Sequence, residues 1–153
     1  MIKIIRTNSD NTNFRDLVSL LDEDLKIRDG EEHAFYAQFN TIDTIKHVIV
    51  AYIENTPAGC GAIKPYTAAI VEIKRIFVQP AFRGQGIAWE IVSELEAWAK
   101  ELNFSTCILE TGKNQPEAIS LYYKAGYHLI PSYGQYKNVE NSVCMKKEIS
   151  TES

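Results

Sequence analysis

One α+β domain is predicted by the order of hydrophobic patterns: strand-like alternation and helix-like periodicity interleave along the chain, and no Pro/Gly/Ser linker or internal repeat divides them. The 153 residues suffice for one core without staples, and 45% apolar with 24% charged side chains is ordinary for a folded domain. Residues 2–6 read as a short strand. Phe14, Leu17, Val18, Leu21 and Leu25 then recur at helical spacing until Asp29-Gly30 stops them. A second short helix is expected over residues 31–39. Residues 47–53 and 58–63 form a hairpin around a slightly long turn at 54–57. A strand over 68–78, a long helix, a strand over 106–111, a helix over 114–125 and a strand over 141–149 complete the order, leaving 150–153 as a frayed tail.

Charge and cysteine usage exclude several classes. The formal net charge is -4, so no overall basic field exists to hold nucleic acid or an anionic membrane surface. Cys60, Cys107 and Cys144 stand far apart with no CxxC pair, against both a disulfide framework and a zinc site. His33, His47 and His128 form no ligand spacing, so no metal is expected. The opening MIKIIRTNSD turns polar too soon for a signal peptide, and no later apolar run reaches bilayer length. A cytoplasmic protein with reduced thiols is the expectation.

The strand over 68–78 changes phase partway along. Val71 and Ile73 share one face, Lys74 and Arg75 follow as two successive charges, and Ile76 and Val78 resume one step out of register. A β-bulge produces that slip, because one extra residue sends every later side chain to the opposite face and bends the strand away from a neighbour. A strand end buried on both faces gives the same spelling.

After Gln79-Pro80 the chain reads AFRGQGIA and enters a helix whose apolar face is Ile87, Ala88, Ile91, Val92, Leu95, Trp98, Ala99 and Leu102. No acidic residue precedes Glu90 at its positive end, which leaves room for another negative group. Gly84 and Gly86 permit backbone angles closed to other residues, so their N–H groups can converge on a pyrophosphate. A plain glycine turn is the alternative. The P-loop spelling GxxxxGK[ST] is absent, and GxGxxG fails because Trp89 stands where the third glycine belongs.

With these glycines between an irregular strand and a helix, the chain resembles the GNAT acetyltransferases, whose acyl-CoA motif reads [QR]xxGx[GA]. Arg83, Gly86 and Ala88 match it, and residues 118–127, AISLYYKAGY, resemble the family's second conserved stretch. The resemblance runs over residues 71–127. Before Glu54 only a compatible strand–helix–helix–strand order is present. The resemblance implies the acyl-CoA N-acyltransferase fold, a central mixed, mostly antiparallel splayed sheet flanked by about four helices. It also implies an acetyl-CoA-dependent N-acetyltransferase that moves the acetyl group directly to a primary amine on a small molecule or peptide, without a metal. A non-catalytic acyl-CoA-binding or protein-interaction domain is the alternative function, and a homodimer is left open.

Carried over position by position, the resemblance implies that the backbone of Ile76, Phe77 and Val78 pairs with the pantetheine arm. Arg83, Gly84, Gln85, Gly86, Ile87 and Ala88 would hold the pyrophosphate, with Arg83 supplying either charge or loop contacts. Asn114 matches a pantetheine-touching position. Tyr122 falls where the family's proton donor to the departing thiolate stands; a core tyrosine on an amphipathic helix is the bland alternative. Glu72 matches a carboxylate that takes the amine's proton, against the alternative of a surface residue paired with Lys74. Glu110 is a second candidate.

Other features keep two readings. Asp22, Glu23, Asp24, Asp29, Glu31 and Glu32 form either a solvated helix face or an attraction for a cationic acceptor. Tyr133 and Tyr136 are candidates for the same wall. Cys107 lies in an apolar strand and is expected to be structural. The helix over 114–125 is expected to start at Pro116, with Asn114 and Glu117 in a capping-box relation, and to end at Gly126.

Overall fold

The computed structural model describes residues 2–29 and 45–149. The expected helix over 31–39 and the tail over 150–153 lie outside them. In chain order the elements are β1 (Ile2–Thr7), α1 (Thr12–Asp29), β2 (His47–Ile53), β3 (Thr56–Pro65), β4 (Ile70–Val78), α2 (Ile87–Glu101), β5 (Thr106–Gly112), α3 (Pro116–Lys124), β6 (His128–Ile130) and β7 (Ser142–Glu148). Short 3-10 turns occupy Pro80–Phe82 and Gly134–Tyr136. The strands form one seven-stranded sheet in the order β1-β2-β3-β4-β5-β7-β6, in which β4 and β5 are parallel and the other neighbours antiparallel. The described residues hold three α-helices where about four were expected. The sequence reading also lacked β6, whose three residues are too few to show alternation.

Local chemistry explains most boundaries. Asn11 caps α1 by accepting the Phe14 N–H at 2.9 Å on its side-chain oxygen. The β2–β3 hairpin turns on Glu54 and Asn55, at φ 46° and 69°, with Thr56 already in the strand. Two successive residues at positive φ make a two-residue turn whose twist matches its strands, tighter than the four-residue loop expected. At α3 the helix starts one residue later than the Asn114 cap expected. Gln115 is the N-cap, no side chain caps it, and Pro116 fills the first helical position, where a missing N–H costs nothing.

The phase slip in β4 is a bulge. Cys60 pairs with Phe77 and Ala62 with Lys74, so the single residue Gly61 faces both Ile76 and Arg75. Arg75 sits at φ 62°, the left-handed region, and this turns its side chain to the same side as Lys74. Buried Arg75 reaches α1, where it meets Asp22 at 3.0 Å. On the other edge, parallel pairing of β4 with β5 ends at Ile73–Leu109. Beyond that point the two strands part.

Two cores lie on opposite faces of the sheet. One packs Phe14, Leu17, Val18 and Leu21 of α1 against Val48, Val50, Cys60, Ala62 and Phe77. The other packs Ile87, Ile91, Val92, Leu95 and Ala99 of α2 against Ile49, Ile63, Val71, Ile73 and Leu109. Gly59 and Gly61 bring α2 close to the sheet. A Cβ on Gly59 would stand 2.7 Å from the Phe77 carbonyl oxygen, and one on Gly61 would stand 2.7 Å from Ile91 Cγ2. Gly84 and Gly86 are glycines of another kind, at φ 84° and 81°, where a Cβ would meet nothing within 4 Å.

This contrast makes a prediction. Gly59→Val drives a side chain into backbone that cannot yield cheaply, and should cost about 2–3 kcal/mol. Gly84→Ala meets only the left-handed penalty of about 1–2 kcal/mol. Urea unfolding should show the first with a markedly lower midpoint at unchanged slope, and the second with a small change.

Candidate active site

The parting of β4 from β5 opens a cleft of about 400 Å³. Its walls come from the end of α1 (Leu21, Asp24), from Glu72 to Val78 of β4, from Gly84 and Gly86 to Trp89 at the start of α2, from Glu110 to Gly112 of β5, and from Ala118, Leu121 and Tyr122 of α3. The sequence-predicted residues Glu72, Ile76, Phe77, Val78, Arg83, Gly84, Gly86, Ile87, Ala88 and Tyr122 therefore share one cavity. Gln85 and Asn114 are not among its lining residues, while Gln115 and Glu117 beside Asn114 are.

The start of α2 is built for an anion. Arg83 N–H donates to the Pro80 carbonyl at 3.3 Å, and Glu90 N–H closes the first helical turn on the Gly86 carbonyl at 3.0 Å. Between them, the N–H groups of residues 84–89 find no backbone acceptor among the described residues. Gly86, the N-cap, is left-handed and contributes no side chain. A row of unpaired donors at the positive helix end, with open space at both glycines, fits a diphosphate. Of the two roles expected for Arg83, the loop contact is observed: its Nε donates to the Val78 carbonyl at 2.8 Å, with the guanidinium 5.7 Å from the centre of the Phe77 ring.

That contact also orients Val78. Gln79 N–H donates to Ala58 at 2.8 Å, toward β3. Backbone groups alternate along a strand, so the N–H and carbonyl of Val78 point the other way, into the cleft side.

Tyr122 is buried at 6% exposure and meets Tyr127 edge to face at 5.8 Å. Burial, followed by the neighbouring charge of Glu110, raises its pKa well above that of a free phenol, so it stays protonated. Tyr123, its sequence neighbour, is exposed, as helical geometry requires.

Glu72 is neither on the surface nor alone. It is buried, accepts the Tyr133 hydroxyl at 2.7 Å on Oε2, and meets Lys74 at 3.4 Å through Oε1. The pairing with Lys74 is present, but inside the cleft instead of in solvent. Glu110 accepts Ser142 Oγ at 2.8 Å. Tyr136 is almost fully enclosed and lines the cleft, whereas Tyr133 reaches Glu72 from behind. The acidic cluster divides: Asp22 ties α1 to Arg75 and Asp24 lines the cleft, while the Asp29 side chain, Glu31 and Glu32 lie outside the described part of the chain. The Tyr133–Glu72 bond spans 61 residues of sequence. Only the clustering of tyrosines before the last strand signalled it.

Among the described residues no group of His, Cys, Asp and Glu is arranged to hold a metal ion, and no helix is long and apolar enough to cross a membrane.

Residues 14–127 match the model of the acetyltransferase (GNAT) family. The chain belongs to this family. An IAA acetyltransferase of Azospirillum brasilense is 36% identical over 102 residues, covering 66% of this chain and 67% of that protein. A structure from Klebsiella pneumoniae subsp. pneumoniae, assigned to the acyl-CoA N-acyltransferases, superposes with TM-score 0.81 at 26% identity over 98% of this chain and 99% of the other. The PaiA N-acetyltransferase of Thermoplasma acidophilum, solved with coenzyme A, has TM-score 0.72 at 17% identity over 97% and 99% of the two chains. The splayed mixed sheet expected of the fold is therefore the one this chain adopts.

The three cysteines are free and buried. Burial pushes the Cys60 and Cys107 thiols up to about 12, and the Cys144 thiol upward as well. A thiol reacts as thiolate, so none is a nucleophile near neutrality. At pH 8 the native protein should give no rapid colour with Ellman's reagent, and the denatured protein should titrate all three thiols.

Proposed function

We propose that this protein is an acetyl-CoA-dependent N-acetyltransferase acting on a primary amine of a small molecule or peptide, by direct transfer within the cleft between β4 and β5. The observation that carries the reading is the row of unpaired backbone donors at residues 84–89, opening onto a cleft that also holds Tyr122 and Glu72. Acetyl-CoA supplies an acetyl group already activated as a thioester. The N–H groups of the Gly84–Gly86 turn and the start of α2 grip its pyrophosphate, and the free edge of β4 at Ile76 to Val78 receives the pantetheine arm as an added strand. Arg83 holds the turn in shape, and Asn114 contributes from the α3 side.

An alkyl ammonium has a pKa of about 10 and must lose a proton before attack. Glu72 takes it, directly or through a water; each of its carboxylate oxygens has a second lone pair beyond those used by Tyr133 and Lys74. The Val78 N–H donates to the carbonyl oxygen as negative charge develops there. Tyr122, kept protonated by burial, gives its proton to the departing sulfur. No cysteine is required, in keeping with three buried thiols. Those reduced thiols also suit a cytoplasmic enzyme.

Acetyl-CoA at a hundredfold above its Kd should stabilise the fold by about 2.7 kcal/mol, a rise in Tm of roughly 5–10 °C for a domain of this size. Gly86→Trp, which strains a left-handed position and fills the anion site, should abolish that rise; an undiminished shift refutes the pyrophosphate assignment. With a panel of amines read by free-thiol release, turnover separates an enzyme from a binding module. Tyr122→Phe should then lower kcat about ten- to a hundredfold at nearly unchanged acetyl-CoA affinity. A wild-type rate in that variant makes Tyr122 a core residue only.

A further inference from the structure

We propose that Tyr133 is a positioning residue for proton removal from the acceptor amine: it holds the Glu72 carboxylate in its working orientation, and is itself held by an aromatic chain running from the β3–β4 turn to the loop before β7. The inference rests on the reading of Glu72 as the base.

A glutamate side chain on a strand has three rotatable bonds and no reason to stay in one place. Two contacts fix Glu72. Tyr133 donates to Oε2 at 2.7 Å, and Lys74 sits 3.4 Å from Oε1. Lys74 lies two positions along the same strand and follows Glu72 wherever β4 goes. Tyr133 comes from a different part of the chain, so among the described residues it alone ties the carboxylate to an independent support.

That support is stiff. The Tyr133 ring meets Tyr66 at 5.3 Å and Tyr136 at 5.7 Å, both edge to face, a geometry aromatic quadrupoles favour. Tyr66 follows β3, and Tyr136 is 1% exposed at the end of the 3-10 turn. Gly134 turns the loop at φ 51°, in the left-handed region that favours glycine, with the Tyr66 hydroxyl packed over it, 3.4 Å from where a Cβ would stand. Among the described residues, the groups around Glu72 are then Lys74 on β4, Tyr133 and Tyr136 in the loop, and more distantly Cys144 on β7, with Glu110 of β5 also acting on Tyr136. Burial and the Glu72 charge raise the Tyr133 phenol far above its ordinary value, so it remains a donor throughout the alkaline range.

The test uses an acceptor amine found by the panel, with Glu72→Gln and Tyr133→Phe made singly and together, and kcat measured from pH 7 to 10. Tyr133→Phe keeps the ring and its stacking while removing only the donated hydrogen bond. It should lower kcat roughly tenfold at pH 7 and leave the acetyl-CoA thermal shift intact. The deficit should shrink toward pH 10, where about half of an alkylamine is already neutral and needs no base. In the Glu72→Gln background, Tyr133→Phe should cost nothing further. A deficit equal at every pH, or undiminished in the Glu72→Gln background, gives Tyr133 a merely structural role and overturns the proposal. A Glu72→Gln variant with the full rate at pH 7 removes the base itself, and the proposal falls with the reading beneath it.

Discussion

One irregularity in one strand governs the architecture. At Arg75 the backbone of β4 takes a left-handed turn that a non-glycine residue adopts only at a cost of about 1–3 kcal/mol. The surroundings hold it there: the guanidinium is buried and bound to Asp22, though its Nε has no partner among the described residues. The bulge sends β4 away from β5 after Ile73–Leu109, and backbone groups that would otherwise pair within the sheet are left facing a gap. A strand edge deprived of its neighbour is a binding surface for anything extended. The same bend sets the direction in which the chain enters the Pro80–Phe82 turn and hence where α2 begins.

The second requirement is that α2 point its positive end into that gap. Its position is fixed by glycines in β3, where any side chain would collide with Phe77, Ile76 or Ile91. The buried face of Ile87, Ile91, Val92, Leu95 and Ala99 supplies the packing energy, at about 1.5–3 kcal/mol for each large aliphatic side chain. Gly84 and Gly86 then serve the opposite purpose, leaving space where Gly59 and Gly61 abolish it. The sequence contains eight glycines, and these four divide between close packing and open approach.

Legibility in the sequence followed the range of the interaction. The bulge is one of two readings of the slip of Ile76 and Val78 against Val71 and Ile73, and only the pairing of β3 with β4 decides for it over a doubly buried strand end. The glycine turn and α2 were visible because both depend on residues within a few positions of one another. The N-cap of α3 falls at Gln115, and spacing alone does not say whether the backbone enters the helix at Asn114 or at Gln115. The two-residue hairpin turn is not legible, because nothing in Glu54-Asn55 advertises two successive positive φ values. Glu72 and Tyr122 were identified by family position, while the burial of Glu72 and its hold by Tyr133 depend on a loop 61 residues away. Local rules carry no information about such a meeting.

The sheet also acts as a partition. The cluster around α2 and the cluster around α1 share no buried side chain across the strands, with Val71 and Ile73 on one side and Cys60, Ala62 and Phe77 on the other. Phe77 bridges the partition, since it packs with α1 while its ring centre lies 5.7 Å from the Arg83 guanidinium, but substitutions elsewhere in the two clusters meet different neighbours. Effects at such separated positions combine nearly additively. Side chains on one face of this sheet are free to drift while the packing of the other face is inherited unchanged.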